Sequence, residues 1–85
     1  MEIQIGKVTH YYNRLGVGVL MLSGVLKVGD VIHILGHTTD FVQKVNSMEI
    51  EHQKVPSVGP GDDVALRVDE TVRGGDIVYL VTREG

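Results

Sequence analysis

Four histidines, His10, His33, His37 and His52, are the candidates for metal or acid–base chemistry in this chain. His33 and His37 stand four apart. In an extended segment that separation spans about 13 Å, too far for the two rings to share one ion as they could on a helix. His33 shares a strand face with Val31 and Leu35 and reads as a half-buried rim residue. With no carboxylate at a recognisable ligand spacing, no metal site is predicted. Asp62-Asp63 and Asp69-Glu70 are adjacent carboxylates, but neighbours in a strand point to opposite faces. Neither pair is expected to converge on one substrate; turn capping and solubility account for them. Ser23, Ser47 and Ser57 lack the surroundings of a nucleophile elbow. The absence of cysteine excludes disulfides, thiolate zinc sites and a Cys nucleophile. There is no glycine-rich phosphate loop followed by Lys-Ser or Lys-Thr, so no nucleotide site is expected. The resulting expectation is a chain that is not an enzyme and carries no cofactor.

Binding chemistry has two candidate segments. Tyr11-Tyr12-Asn13-Arg14 combines aromatic and basic side chains on a predicted loop, where rings can stack on bases and Arg can meet phosphate. A structural alternative has one Tyr closing an end of the domain and the other half exposed. Gly36-His37-Thr38-Thr39-Asp40 is a polar loop that could bond a partner's backbone or serve as a solvated turn. The predicted binding residues are therefore Tyr11, Tyr12, Asn13, Arg14, His37, Thr38 and Thr39. Charge works against a self-sufficient nucleic-acid binder: the net value is −3, and residues 62–85 hold three Lys/Arg against six Asp/Glu. Phosphate binders show a basic footprint.

The elements that must position these residues follow from three Gly-Asp pairs. Gly29-Asp30, Gly61-Asp62 and Gly75-Asp76 each open a short apolar, β-branched run. Gly accepts the positive φ of a tight turn and Asp bonds back to turn backbone; the runs that follow read as strands. Further strands are expected over Glu2 to Thr9, with a crossover near Gly6, over Val17 to Leu22, and over Phe41 to Ile50. Lys54 to Asp63 holds both prolines and reads as a loop. No stretch sustains helical periodicity. The 85 residues are expected to form one domain, 1–85. With one Phe and no Trp, the core must come from Val, Ile, Leu and Met. The expected fold is all-β, a small closed β-barrel of about six strands, because closure removes exposed edges. The N-terminus lacks the pattern of a signal peptide and no apolar run approaches the roughly 20 residues of a membrane span, so no membrane association and a cytoplasmic location are expected.

Gly24-Val25-Leu26-Lys27-Val28-Gly29-Asp30-Val31-Ile32-His33-Ile34 resembles the signature of domain II of translation GTPases, the β-barrel beside the nucleotide domain in elongation factor Tu and its relatives. Ile5-Gly6-Lys7-Val8 resembles that domain's first strand, and Phe41-Val42-Gln43-Lys44-Val45 through Met48-Glu49 its central strand. Val58 to Leu66 and Val72 to Val78 resemble its later turn-and-strand units. The resemblance implies the fold of the reductase/isomerase/elongation factor common domain. Val19 stands where these GTPases usually carry glycine, and Arg14-Leu15-Gly16 replaces their Arg-Gly pair, so their aminoacyl pocket does not transfer. Lys27-Val28-Gly29-Asp30 with Phe41-Val42-Gln43-Lys44-Val45 is also similar to the small barrel at the C-terminus of collagenase-like peptidases. Free-standing elongation-factor-like domains look similar as well, including the loop from Gly36 to Phe41. Two functions are implied: a non-catalytic binding module contacting RNA, the ribosome or a translation-linked protein, or a protein-interaction subunit supplying a barrel in trans to a collagenase-like peptidase or an RNA-modifying partner.

Overall fold

The computed structural model describes residues 1–82, and these are all strand, turn and loop. The strands are β1 (Glu2–Tyr12), β2 (Val17–Leu22), β3 (Leu26–Lys27), β4 (Val31–Leu35), β5 (Asp40–Lys44), β6 (Glu49–Ile50), β7 (Gln53–Lys54), β8 (Ser57–Val58), β9 (Asp63–Arg67) and β10 (Ile77–Val81). Eight form one antiparallel sheet in the order β5-β4-β10-β1-β2-β9-β6-β7, and β3 pairs with β8 in a second. Alternation sets which face goes inside. Leu20 and Leu22 of β2, Ile32 and Ile34 of β4, Val64 and Leu66 of β9 and Val78 of β10 enter one core with Met48, Val45, Val58 and Val72. Aliphatic side chains fill it, as the composition requires.

β1 is the hub. Its first half pairs with β10 and its second half with β2, and the register slips once between Gln4 and Gly6 and again between Val8 and His10. A bulge of this kind bends a strand so that it can serve two partners. The crossover expected near Gly6 is the first of these. Gly6 is obligatory there: a Cβ would lie 2.5 Å from the Met21 carbonyl oxygen.

The three Gly-Asp pairs are one turn used three times. Gly29, Gly61 and Gly75 have φ of 100°, 87° and 96°. In each turn the Asp N–H donates to the carbonyl three residues back (3.0, 3.1 and 3.0 Å). The Asp carboxylate in turn accepts the N–H of that same residue: Lys27 to Asp30 at 2.9 Å, Gly59 to Asp62 at 2.8 Å, Arg73 to Asp76 at 2.8 Å. Glycine at the third position with positive φ and this backbone bond define a type II turn.

Four expectations need correction. The sheet is not a closed barrel, and the described strands outnumber six. β5 and β7 stand at the two ends of the sheet order, and among the described residues no backbone ladder joins β5 to β9. A side chain takes the ladder's place. Gln43 of β5 is buried; its amide Nε2 donates to the Arg67 carbonyl (2.9 Å) and its Oε1 accepts the Asp69 N–H (2.8 Å). Second, Tyr11 and Tyr12 are not loop residues. β1 runs on through them because Tyr12 pairs with Val17 across the turn, where the Leu15 and Gly16 N–H groups both donate to the Tyr12 carbonyl. Third, Phe41 to Ile50 is two strands. The chain leaves the β5 ladder at Val45, whose N–H donates to the Asp30 carbonyl and whose carbonyl accepts the Gly29 N–H. The expected loop from Lys54 to Asp63 also supplies a strand, β8.

Candidate functional site

The outer face of the sheet carries a groove of about 880 Å³. Strand register builds its floor. Tyr12, Val17 and Arg67 stand in one row across β1, β2 and β9; Val19, Ala65 and Glu49 stand in the next, across β2, β9 and β6. The half-buried Val17, Val19 and Ala65 make the floor apolar, and exposed Tyr12 and Leu15 wall one end. The β6–β7 hairpin walls another side. Its turn residues Glu51 and His52 both take positive φ, 49° and 66°, which projects them over the groove beside Ile50.

The electrostatics are lopsided. Glu49, Glu51, Asp62 and Asp63 all line the groove, against Arg67 and His52. None of the four carboxylates forms an ion pair among the described residues. Asp62 and Asp63 both line the groove, and the Asp62 carboxylate is held by the Gly59 N–H of its own turn (2.8 Å).

A second polar cluster lies on another part of the outer face. His33 Nδ1 lies 2.8 Å from Glu2 Oε1 and Nε2 lies 2.6 Å from Asp40 Oδ1, with Tyr79 tilted beside the ring at 6.1 Å. A neutral imidazole has one N–H, so two ionised carboxylate partners favour the doubly protonated ring. The Glu2 hydrogen bond first, and then the Asp40 bond, hold the His33 pKa above its ordinary 6.5. With both nitrogens occupied, the ring is a clasp between β1, β4 and β5; neither a ligand position nor a free base remains on it. Asp40 was within reach of sequence reasoning: the β4–β5 register of Leu35 with Asp40 and His33 with Val42 puts Asp40 diagonal to His33. Glu2 was not, since β10 intervenes.

The seven residues singled out in the sequence divide between two hairpins. Tyr12 enters the groove wall and stacks on His10 at 6.3 Å between ring centres. Tyr11 is half buried against the core, while Asn13 and Arg14 are exposed in the turn that follows. One Tyr thus packs while the other stands open. His37, Thr38 and Thr39 lie in the β4–β5 loop, with His37 and Thr38 exposed and Thr39 buried. The loop closes by a bond from the Gly36 N–H to the Thr39 carbonyl (2.7 Å). No hydrogen bond joins the two segments among the described residues. No group of His, Asp and Glu there is arranged to hold a metal ion, and no helix is long and apolar enough to cross a membrane.

No family model matches the chain. Among curated proteins it is 40% identical over 81 residues to an uncharacterised protease of Methanocaldococcus jannaschii, covering 94% of this chain and 20% of that protein. It is 39% identical over 80 residues to a collagenase of Porphyromonas gingivalis, covering 92% and 19%. The chain thus spans about a fifth of the length of the curated relatives it matches. Among solved structures, the C-terminal domain of a Geobacillus thermoleovorans protein described as a U32 peptidase superposes with a TM-score of 0.88 at 16% identity, covering 94% of this chain and 93% of that domain.

These names contradict the expectation of a chain that is not an enzyme: the relatives are a protease and collagenases. The names belong to whole proteins and the match to a fifth of them, so they supply an enzyme context and no reaction for this segment. The resemblance to translation GTPases gains no support from them, whereas the resemblance to the small domain of collagenase-like peptidases does. The chain has the fold of the C-terminal domain of a protein described as a U32 peptidase and is homologous, over nearly all of its length, to a segment of proteins named protease and collagenase.

Proposed function

We propose that this chain is a protein-binding β domain that works with a collagenase-like peptidase, holding a polypeptide partner on its outer face. The observation that carries this reading is the 40% identity over 81 residues to a segment of a protease. The groove supports it, because an apolar floor with a polar rim is how protein surfaces are built to take other chains. RNA binding through Tyr12 and Arg14 is disfavoured on charge: Tyr12 stands in a groove with four carboxylates, which repel phosphate.

Size-exclusion chromatography with light scattering tests the reading. The purified chain is mixed with a collagenase-like peptidase from the same genome that lacks this segment. A stoichiometric complex at micromolar concentrations is expected. Separate elution of both proteins at tens of micromolar, together with salt-sensitive binding of the chain to tRNA, would overturn the reading in favour of the RNA module.

A further inference from the structure

We infer that the groove between the β1–β2 turn and the β6–β7 hairpin takes an extended polypeptide segment with Lys or Arg at one end and apolar side chains behind it. The inference rests on the protein-binding reading and adds the chemistry of the partner.

The groove has two unlike ends. At one, Asp62 and Asp63 open β9 and Glu51 stands in the β6–β7 turn; Glu49 lies midway, beside Ala65; at the other end stand Tyr12, Leu15 and Arg67. Burial normally hides such apolar residues, yet Tyr12 is 51% and Leu15 64% exposed. None of the four carboxylates forms an ion pair among the described residues, though Lys54 stands opposite Glu49 across the β6–β7 ladder. All four line the same groove, so a cation placed there meets net negative charge. Electrostatic complementarity then fixes orientation. The basic end lies over Asp62, Asp63 and Glu51, with Glu49 next along the groove, and the apolar side chains run along Val17 and Val19 toward Tyr12 and Leu15. Arg67 repels a second basic group at that far end, so the segment's polarity is set. A segment of the opposite pattern, acidic or phosphate-bearing, meets like charge across most of the groove.

The probe is a fluorescein-labelled peptide of sequence Lys-Lys-Val-Leu-Phe with blocked ends, titrated with the 85-residue chain and followed by anisotropy. Amide shifts in two-dimensional NMR give the location. Expected are shifts clustered at Val17, Val19 and Ala65, and an affinity that falls as salt screens the carboxylates. The double substitution Glu49→Gln with Asp63→Asn should weaken binding about three- to tenfold. Both side chains point outward and Asp62, which holds its turn, is left intact, so Tm should stay within about 2 °C of the parent. A Glu-Glu-Val-Leu-Phe peptide should not bind. Equal affinity for the Lys and Glu peptides overturns the inference, as does binding of the Lys peptide that the double substitution leaves unchanged. If the peptidase complex forms and is insensitive to the double substitution and to excess Lys peptide, the protein-binding reading stands and the groove assignment falls.

Discussion

Raising the pH should release the His33 clasp. His33 is 16% exposed, and its partners Glu2 and Asp40 are 41% and 72% exposed. Solvent therefore screens both pairs, and such pairs contribute about 0.2–1 kcal/mol each, so the clasp stabilises the fold by about 1 kcal/mol. Its folded pKa is raised above the ordinary 6.5 by the bonds to Glu2 and Asp40. For a raised histidine the contribution is present in full below the unfolded pKa and disappears as pH rises through the folded one. The assay is thermal unfolding of the parent and of His33→Gln at a series of pH values from about 6 to 9. For a domain of this size 1 kcal/mol corresponds to about 4–8 °C in Tm. The parent should exceed the variant by that amount near pH 6, and the gap should close by pH 9. His10, His37 and His52 are common to both proteins and cancel in the difference. A gap that stays constant across the series rules the clasp out as the source of the difference. So does an NMR titration of the His33 ring with its midpoint at or below 6.5.

Other substitutions probe the scaffold. Gly6→Ala forces a methyl group to within 2.5 Å of the Met21 carbonyl and should cost about 1–3 kcal/mol in urea unfolding. Gly61→Ala meets no atom within 4 Å but must adopt φ of 87°, so it should cost only about 1–2 kcal/mol, all of it backbone strain. Gln43→Ala leaves the Arg67 carbonyl and the Asp69 N–H without their partners and should cost about 2 kcal/mol or more, with faster hydrogen exchange at Asp69 than at Val64. The three turn aspartates make the same bond at different depths. Replacement by Ala should therefore cost most at Asp76, which is 5% exposed, less at Asp62 and least at Asp30, whose bond faces solvent. Equal losses at all three would contradict this ranking.

The fold class was legible because its signals are local. Gly-Asp turns set backbone sign at Gly29, Gly61 and Gly75, and the alternation of Ile32, Ile34, Val64 and Leu66 with outward residues marks the inner face within a few positions. Boundaries that depend on a distant partner were not legible. β1 extends through Tyr12 only because Val17 pairs with it, and the β4–β5 pairing ends in a bulged rung where Val45 bonds both Gly29 and Asp30. Closure failed for a similar reason: strand count argues for a barrel, but Gln43 reaches Arg67 and Asp69 across 24 and 26 residues and substitutes a side chain for a ladder.

An all-β domain with an aliphatic core, three Gly-Asp turns of one design and a polar loop after Leu35 all follow from local sequence. Each is written within a window of a few residues, where φ preference and strand alternation act. What the surface offers is settled only on folding. Glu49 and Ala65 become neighbours through the single pairing of β6 with β9, and Asp62 and Asp63 join them by way of a turn. Glu2 finds His33 across an intervening strand. A groove and a clasp are made of residues far apart in the chain, and only the order in which the strands assemble brings their charges within reach of one another.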